Sequence, residues 1–295
     1  MIPGIPGSRA ARALHAAYVA LFLLYLFAPL LVVAAFAFND SSFPSLPWRG
    51  FTLDWFLSPG PRRVGLLHDR ELLRGFATSV QVALAVTLLS VVVGTANAFL
   101  FEHESFPLKG ALYTLALTPL VVPGVILGIS ILVFSNTVAV ALEAWAGVEV
   151  EALRPGLPLV VLGQFSFITT LTTLVLSARL RTFDRTLEEA ARNLGATRAG
   201  AAATVTLPFL KPALLGAAAL AFLMSFENFN TTLFLVGSDA TLPITMFVSL
   251  RDGSTPVINA ASLVLMVGSA AVALAALGRG RGPETSGGAP KTAVR

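Results

Sequence analysis

From Leu14 to Phe38 the chain carries no Asp, Glu, Lys or Arg. A backbone inside hydrocarbon must satisfy its own hydrogen bonds, and a helix needs about 20 apolar residues to cross. The run therefore reads as a membrane-spanning helix, with Pro29 inside it. Ala35-Phe36-Ala37 has the look of a signal-peptidase triplet, but a signal peptide's apolar core is roughly 7–15 residues long. The length favours a retained span.

Five further runs follow, at 76–101, 111–135, 156–178, 212–236 and 256–277, of which only 212–236 holds a charged residue, Glu227. Pro119, Pro123 and Gly124 predict a kinked third span, and Gly124 with Gly128 would allow another helix to approach closely. Composition agrees: 12% of residues are charged, about half the share in a soluble domain. The expected fold class is an all-α membrane protein with six transmembrane helices over 14–278. Short tails flank it, 1–13 with Arg9 and Arg12, and a disordered 279–295. Between the first two spans, residues 39–74 are too rich in Pro, Gly, Trp and Asp to cross, and Phe51–Phe56 predicts a short interfacial helix. Residues 136–156, with Glu143, Glu149, Glu151 and Arg154, read as an outer loop, either irregular or partly helical.

Sidedness follows from the basic residues. Thirteen Lys and Arg fall in the two tails, the 102–110 loop and the 179–211 segment, against seven in the three opposite loops. The richer side is cytoplasmic, which places both termini and 179–211 there. The net charge of +4 then reflects these loops and not a nucleic-acid partner. No cysteine is present, which excludes disulfides and thiol chemistry. His15, His68 and His103 form no zinc-type pair, no G-x-x-x-x-G-K-[ST] phosphate loop occurs, and no cofactor is expected. Nothing in the pattern assembles a catalytic constellation, so an enzyme is not expected.

Two polar places remain. Ser225 to Thr232, SFENFNTT, puts Glu227 inside the predicted fifth span, at a cost that makes it face protein or water. It is either a translocation-path carboxylate or a structural hydrogen-bonding group. Asn228, Asn230 and Gln164 carry the same two readings, as amides that join helices or line a path. The other place is Glu189 to Pro208, EAARNLGATRAGAAATVTLP. Thr186 and Glu189 fit a capping box, Gly195 fits a left-handed helix stop, and Pro208 predicts a break. A capped helix, a corner and a second helix suit a rigid surface on which a partner pushes.

This segment resembles the signature of the membrane subunits of bacterial ABC importers: E-A-A, three residues, G, nine residues, I-x-L-P. Glu189, Ala190, Ala191, Gly195, Leu207 and Pro208 match, with Val205 at the Ile position. Ala37-Phe38-Asn39, Trp48 to Trp55, Val122-Pro123, Ser225 to Phe229, Thr241 to Ile244 and Ile258-Asn259-Ala260 extend the likeness to permeases of the spermidine/putrescine importer type. The resemblance implies a type I importer permease with a cytoplasmic coupling helix between helices 4 and 5, in the bacterial inner membrane. It implies ATP-binding subunits, a second permease subunit in a heterodimer or a homodimer, and an extracytoplasmic solute-binding protein. The solute it implies is a polyamine, although Asn228 stands where polyamine permeases often carry a second carboxylate. Ferric iron, phosphonates or another small solute, and a scaffold or receptor without a solute path, are the alternatives.

Overall fold

The computed structural model describes residues 9–44, 46–60, 63–253 and 256–280. Most of the expected N-terminal tail and nearly all of the C-terminal one lie outside these. Among the described residues six helices are long and apolar enough to cross a membrane. They are Arg9–Phe36, Arg70–His103, Gly124–Ala146, Leu157–Leu180, Arg198–Phe226 and Pro256–Ala276. Two compact units form, one from residues up to 73 with 246–268, the other from 74–245 with 269 onward.

In the first unit, α1 (Arg9–Phe36) buries none of its side chains and begins at Arg9, so both tail arginines stand on the helix. After α1 the chain builds a small polar fold around Trp55, which is buried in the one-turn α2 (Asp54–Leu57). The indole N–H donates to the Asn39 carbonyl at 2.8 Å, and the Asn39 side chain accepts from the Arg49 N–H at 2.9 Å. Arg63 lies over the Trp55 ring at 5.1 Å and pairs with Asp40 and Asp54. The Asp69 carboxylate then accepts from the N–H groups of Glu71 and Leu72, and this cap starts α3 (Arg70–His103).

The second unit is organised on α6 (Leu157–Leu180), the helix that buries the largest share of its most apolar stretch, 56%. Its buried face is unusually polar, with Gln164, Thr169, Thr170, Thr172, Thr173 and Ser177. Lipid is as apolar as leucine, so helices in a membrane gain from small and hydroxyl side chains that bond across the seam. Thr172 Oγ1 donates to the Ser90 carbonyl of α3 at 2.8 Å, and Thr170 Oγ1 to the Ala116 carbonyl at 2.7 Å. Leu159, Val160, Ile168, Val82, Val86 and Leu235 form the apolar core around this seam.

Two expected spans end elsewhere. The third is broken rather than kinked: α4 (Lys109–Val121) stops before Pro123, and α5 (Gly124–Ala146) starts after it. Pro119 sits inside α4, whereas the residue before Pro123 is driven into extended backbone, ψ 126° at Val122. α5 continues to Ala146, well into the expected 136–156 loop, because nothing in 136–146 breaks a helix. The fifth span begins earlier and ends earlier than 212–236. It runs through α8 (Arg198–Ala201), a π-helical turn (Ala202–Thr206) and α9 (Leu207–Phe226). Pro208 therefore does not break the chain. It falls in the first turn of α9, where its missing N–H is not needed, and the wide π turn leaves room for its ring.

Candidate functional site

At the basic end, α6 leads into the Glu189–Pro208 signature segment. Asp184 caps the next helix: its Oδ1 accepts from Thr186 N–H at 3.0 Å and Thr186 Oγ1 at 2.8 Å. The Thr186 hydroxyl, and then its N–H, hold the Asp184 carboxyl below the ordinary aspartate range. The expected capping box is not formed. Thr186 lies within α7 (Thr186–Asn193) as its first residue, because Asp184, two residues earlier, offers the stronger charged acceptor.

α7 ends in a Schellman motif. Gly195 N–H donates to the Arg192 carbonyl and Ala196 N–H to the Ala191 carbonyl, at 3.0 and 3.1 Å, with Gly195 at φ +94°. Thr197 then accepts from Gly200 N–H at 3.0 Å and caps α8. The signature positions thus have distinct mechanical tasks. Ala191 and Gly195 make the corner. Val205 packs with Leu180, Phe183 and Leu210 and anchors the segment to the bundle. Leu207 and Pro208 open α9. Glu189 and Ala190 are exposed on α7.

No residue of α7 is buried. Leu187 and Leu194 remain 51% and 90% exposed, and with Ala190 between them they form one stripe pointing away from the bundle. The other side of the segment is tied down. Thr206 Oγ1 donates to Glu188, Arg181 pairs with Glu102 at 3.0 Å, Arg185 donates to the Glu102 carbonyl, and Arg198 pairs with Glu104 at 2.5 Å. Glu102 and Glu104 end α3, and sequence reasoning read them only as a span boundary; no local spacing could reveal partners about 80 residues away. A cavity of about 280 Å³ lies between this end of α3 and α7, lined by His103, Glu188, Glu189, Arg192 and Arg198 among others.

The second polar place is where α9 stops. Glu227 is the C-cap residue of α9 rather than part of a span, and it is exposed. Its Oε1 accepts from Ser269 Oγ at 2.7 Å, and Ser269 lies on α12 (Pro256–Gly280). The helix ends because Asn228 turns back: its Oδ1 accepts from the N–H and hydroxyl of Thr232 at 3.2 and 2.9 Å and starts the one-turn α10 (Thr232–Leu235). Gln164 is fully buried. Its Oε1 accepts from Ser225 Oγ, and its Nε2 donates to Thr232 Oγ1 at 2.8 Å, so it joins both sides of the break. Asn230 is exposed beside α5. The Gly124–Gly128 pair does permit a close approach, but by this broken segment: a Cβ on Gly128 would stand 2.8 Å from the Thr231 carbonyl oxygen. Gln164 lies two turns inside α6, roughly 10 Å from its start. The break is therefore within the apolar layer, where irregular backbone occurs only if it is buried in protein or faces water.

The arrangement is a helical bundle with an exposed helix tied down at one end and a broken, polar helix inside. A family model described as binding-protein-dependent transport system inner membrane component matches residues 87–279. The putrescine transport system permease protein PotI of Escherichia coli is 30% identical over 244 residues, covering 82% of each chain. The spermidine/putrescine transport system permease protein PotC of Haemophilus influenzae is 25% identical over 249 residues, 84% of this chain and 89% of that one. A probable molybdenum ABC transporter permease protein of Haloferax volcanii is 29% identical over 235 residues, 74% and 86% of the two chains. Among solved structures, a chain of a bacterial ABC transporter involved in import of the acidic polysaccharide alginate superposes with a TM-score of 0.70. It shares 18% identity over 92% of this chain and 95% of its own, a likeness of fold alone.

Proposed function

The chain belongs to the family of binding-protein-dependent transport system inner membrane components, and from that premise we propose that it carries a polyamine-type organic cation inward by alternating access. ATP-binding subunits drive it, an extracytoplasmic solute-binding protein supplies it, and a second permease subunit completes the path. Energy enters through residues 184–208. The single observation that supports this most is the two-sided build of that segment. Its apolar Leu187–Leu194 stripe is free for an ATP-binding subunit, while Glu188, Arg181, Arg185 and Arg198 fasten its other side to the bundle.

The solute assignment rests on the names of PotI and PotC and on Glu227. Its carboxylate stands at the end of α9, where the helix carbonyls add further partial negative charge. A cation is drawn there by both. Asn230, exposed on the same break, adds an uncharged polar group. Asn228 and Gln164 instead spend their side chains on holding the break. The Haloferax volcanii relative supports a second reading, in which the same machinery moves a molybdenum-containing solute.

The test is ATPase stimulation in the complex reconstituted with its ATP-binding subunits and binding protein, across polyamines, molybdate, phosphonates and ferric chelates. Stimulation by putrescine or spermidine, with half-saturation raised about 5- to 20-fold in Glu227→Gln, is the expected result. Stimulation by molybdate with Glu227→Gln unchanged replaces the polyamine with the second reading. An ATPase that responds to no solute returns the chain to a scaffold or receptor.

A further inference from the structure

Two cavities flank one aromatic pair in the second unit. The inner one, about 250 Å³, lies between α3, α4 and α6 and is lined by Asn97, Ser166, Thr173, Phe165, Phe101 and Tyr113 among others. The other, about 410 Å³, lies at the basic end between α3 and α4, lined by Glu102, Lys109 and Arg181, and again by Phe101 and Tyr113. The two shared rings meet edge to face, centroids 5.2 Å apart at 83°. Phe101 is buried. Resting on the transport reading above, we propose that the inner cavity is a solute chamber for a small organic cation and that Phe101 and Tyr113 form the gate through which it leaves.

The lining sets the ligand class. Among the described residues no Asp, Glu, Lys or Arg lines the inner chamber. An oxyanion stripped of water would find no positive group there, whereas an alkyl ammonium finds ring faces, hydroxyl oxygens and an amide. Asn97 lines the chamber with no protein partner among the described residues, so its amide is available to a solute. The volume lies just below the usual range for small-molecule sites, which suits a slender solute.

The chain also supplies a way to open the gate. Tyr113 rides on α4, a 13-residue rod with no buried side chain. Its start is Leu108 in left-handed backbone, φ 63°, and its end is the extended Val122 before Pro123. Breaks at both ends of an element are where domain and lid motions are absorbed. The rod is held by Thr170 on the Ala116 carbonyl and by Lys109 on the Glu104 carbonyl, at 2.7 and 2.9 Å. Glu104 is also the partner of Arg198, so movement of the coupling segment reaches the foot of α4 directly. A swing of α4 carries Tyr113 off Phe101 and joins the two cavities.

The chain has no cysteine, so an introduced thiol is the one thiol on this subunit, and the complex with the unsubstituted chain gives the background. In the full reconstituted complex, Asn97→Cys should react with a methanethiosulfonate ethylammonium reagent, and saturating putrescine should slow that reaction at least 5-fold. Phe101→Ala and Tyr113→Ala should each raise ATP-independent leak of preloaded putrescine about 2- to 10-fold, the factor expected from losing one aromatic pair, while Tyr113→Phe stays tight. A complex whose ATPase answers to putrescine but whose Asn97→Cys reaction ignores it, or never occurs, overturns the chamber and leaves the transport reading standing. Unchanged leak in both alanine variants overturns the gate. Stimulation by molybdate alone overturns the cation class, and an ATPase deaf to every solute overturns transport itself.

Discussion

Replacing Gln164 with leucine separates a strut from a ligand. The amide is fully buried and both its ends are used, accepting from Ser225 on α9 and donating to Thr232 on α10. Leucine keeps the volume and removes both bonds. Interhelical hydrogen bonds in membranes average about 0.6 kcal/mol and reach about 1.7. Ser225 can turn to a carbonyl one turn back on its own helix, and Thr232 keeps its bond to Asn228. The loss is therefore about 1–3 kcal/mol, enough to raise the population of a detached break by about 5- to 150-fold. Reversible unfolding in mixed micelles should show the destabilisation, and solute-free ATPase should rise because the break is no longer held in one state. Half-saturation by solute should move little. A variant of normal stability with weakened solute response would refute the strut and make Gln164 a solute contact.

Other consequences can be checked on the same complex. Glu104→Arg or Arg198→Glu alone should cut solute uptake per ATP hydrolysed about 3- to 10-fold, and the double swap should restore it; both groups are too exposed for the pair to matter much to stability. Unfolding midpoints should stay level across the three variants, and a swap that fails to rescue would remove the pair from the coupling route. Gly195→Ala meets no neighbouring atom but must adopt φ +94°, so it strains only the corner; it should cost about 1–2 kcal/mol and lower uptake, while Gly195→Asn is milder, as read by transport at matched expression. Asp184 has a folded pKa below its unfolded value near 3.8, so its cap is complete above about pH 4 and is lost as pH falls through the lowered value. A spin label at Asn193→Cys should become more mobile in that acid window, and Asp184→Asn should abolish the step.

Much of this was legible because hydropathy is a local quantity. Six apolar runs name the spans without any knowledge of their neighbours, and Gly195 after a run of helix formers is a helix stop by backbone preference alone. The ends were less legible wherever a boundary depends on what is far away in sequence. Pro208 reads as a stop until the π turn before it is seen to make room. Glu227 reads as mid-span because the apolar 233–236 follows it, yet Asn228 ends the helix by capping the next one, an arrangement that needs Gln164 opposite. Thr186 matched the capping box, but Asp184 was the better acceptor two residues upstream. Glu102 and Glu104 carry no motif at all. Their meaning is the three arginines they meet, and that is a property of the folded bundle.

The same helix links the two polar places. α9 starts at the π turn, whose Thr206 is bonded to Glu188 of α7, and ends about 30 Å away at Glu227. α9 runs as one helix, with Pro212 leaving one internal backbone bond unmade, so displacement at its start is carried along its axis. A push on α7 therefore does not need to pass through many side chains to reach the carboxylate. It needs the π turn to behave as a joint and the Gln164 node to hold in one state and release in another. π turns and buried polar nodes are costly inside a membrane, and each is placed where a continuous α-helix would have been the more stable choice. Coupling requires an element with two arrangements that both sites can bias. On the proposed coupling role of residues 184–208, α9, which starts at the π turn and ends at the Gln164 node, is the element that would meet that requirement.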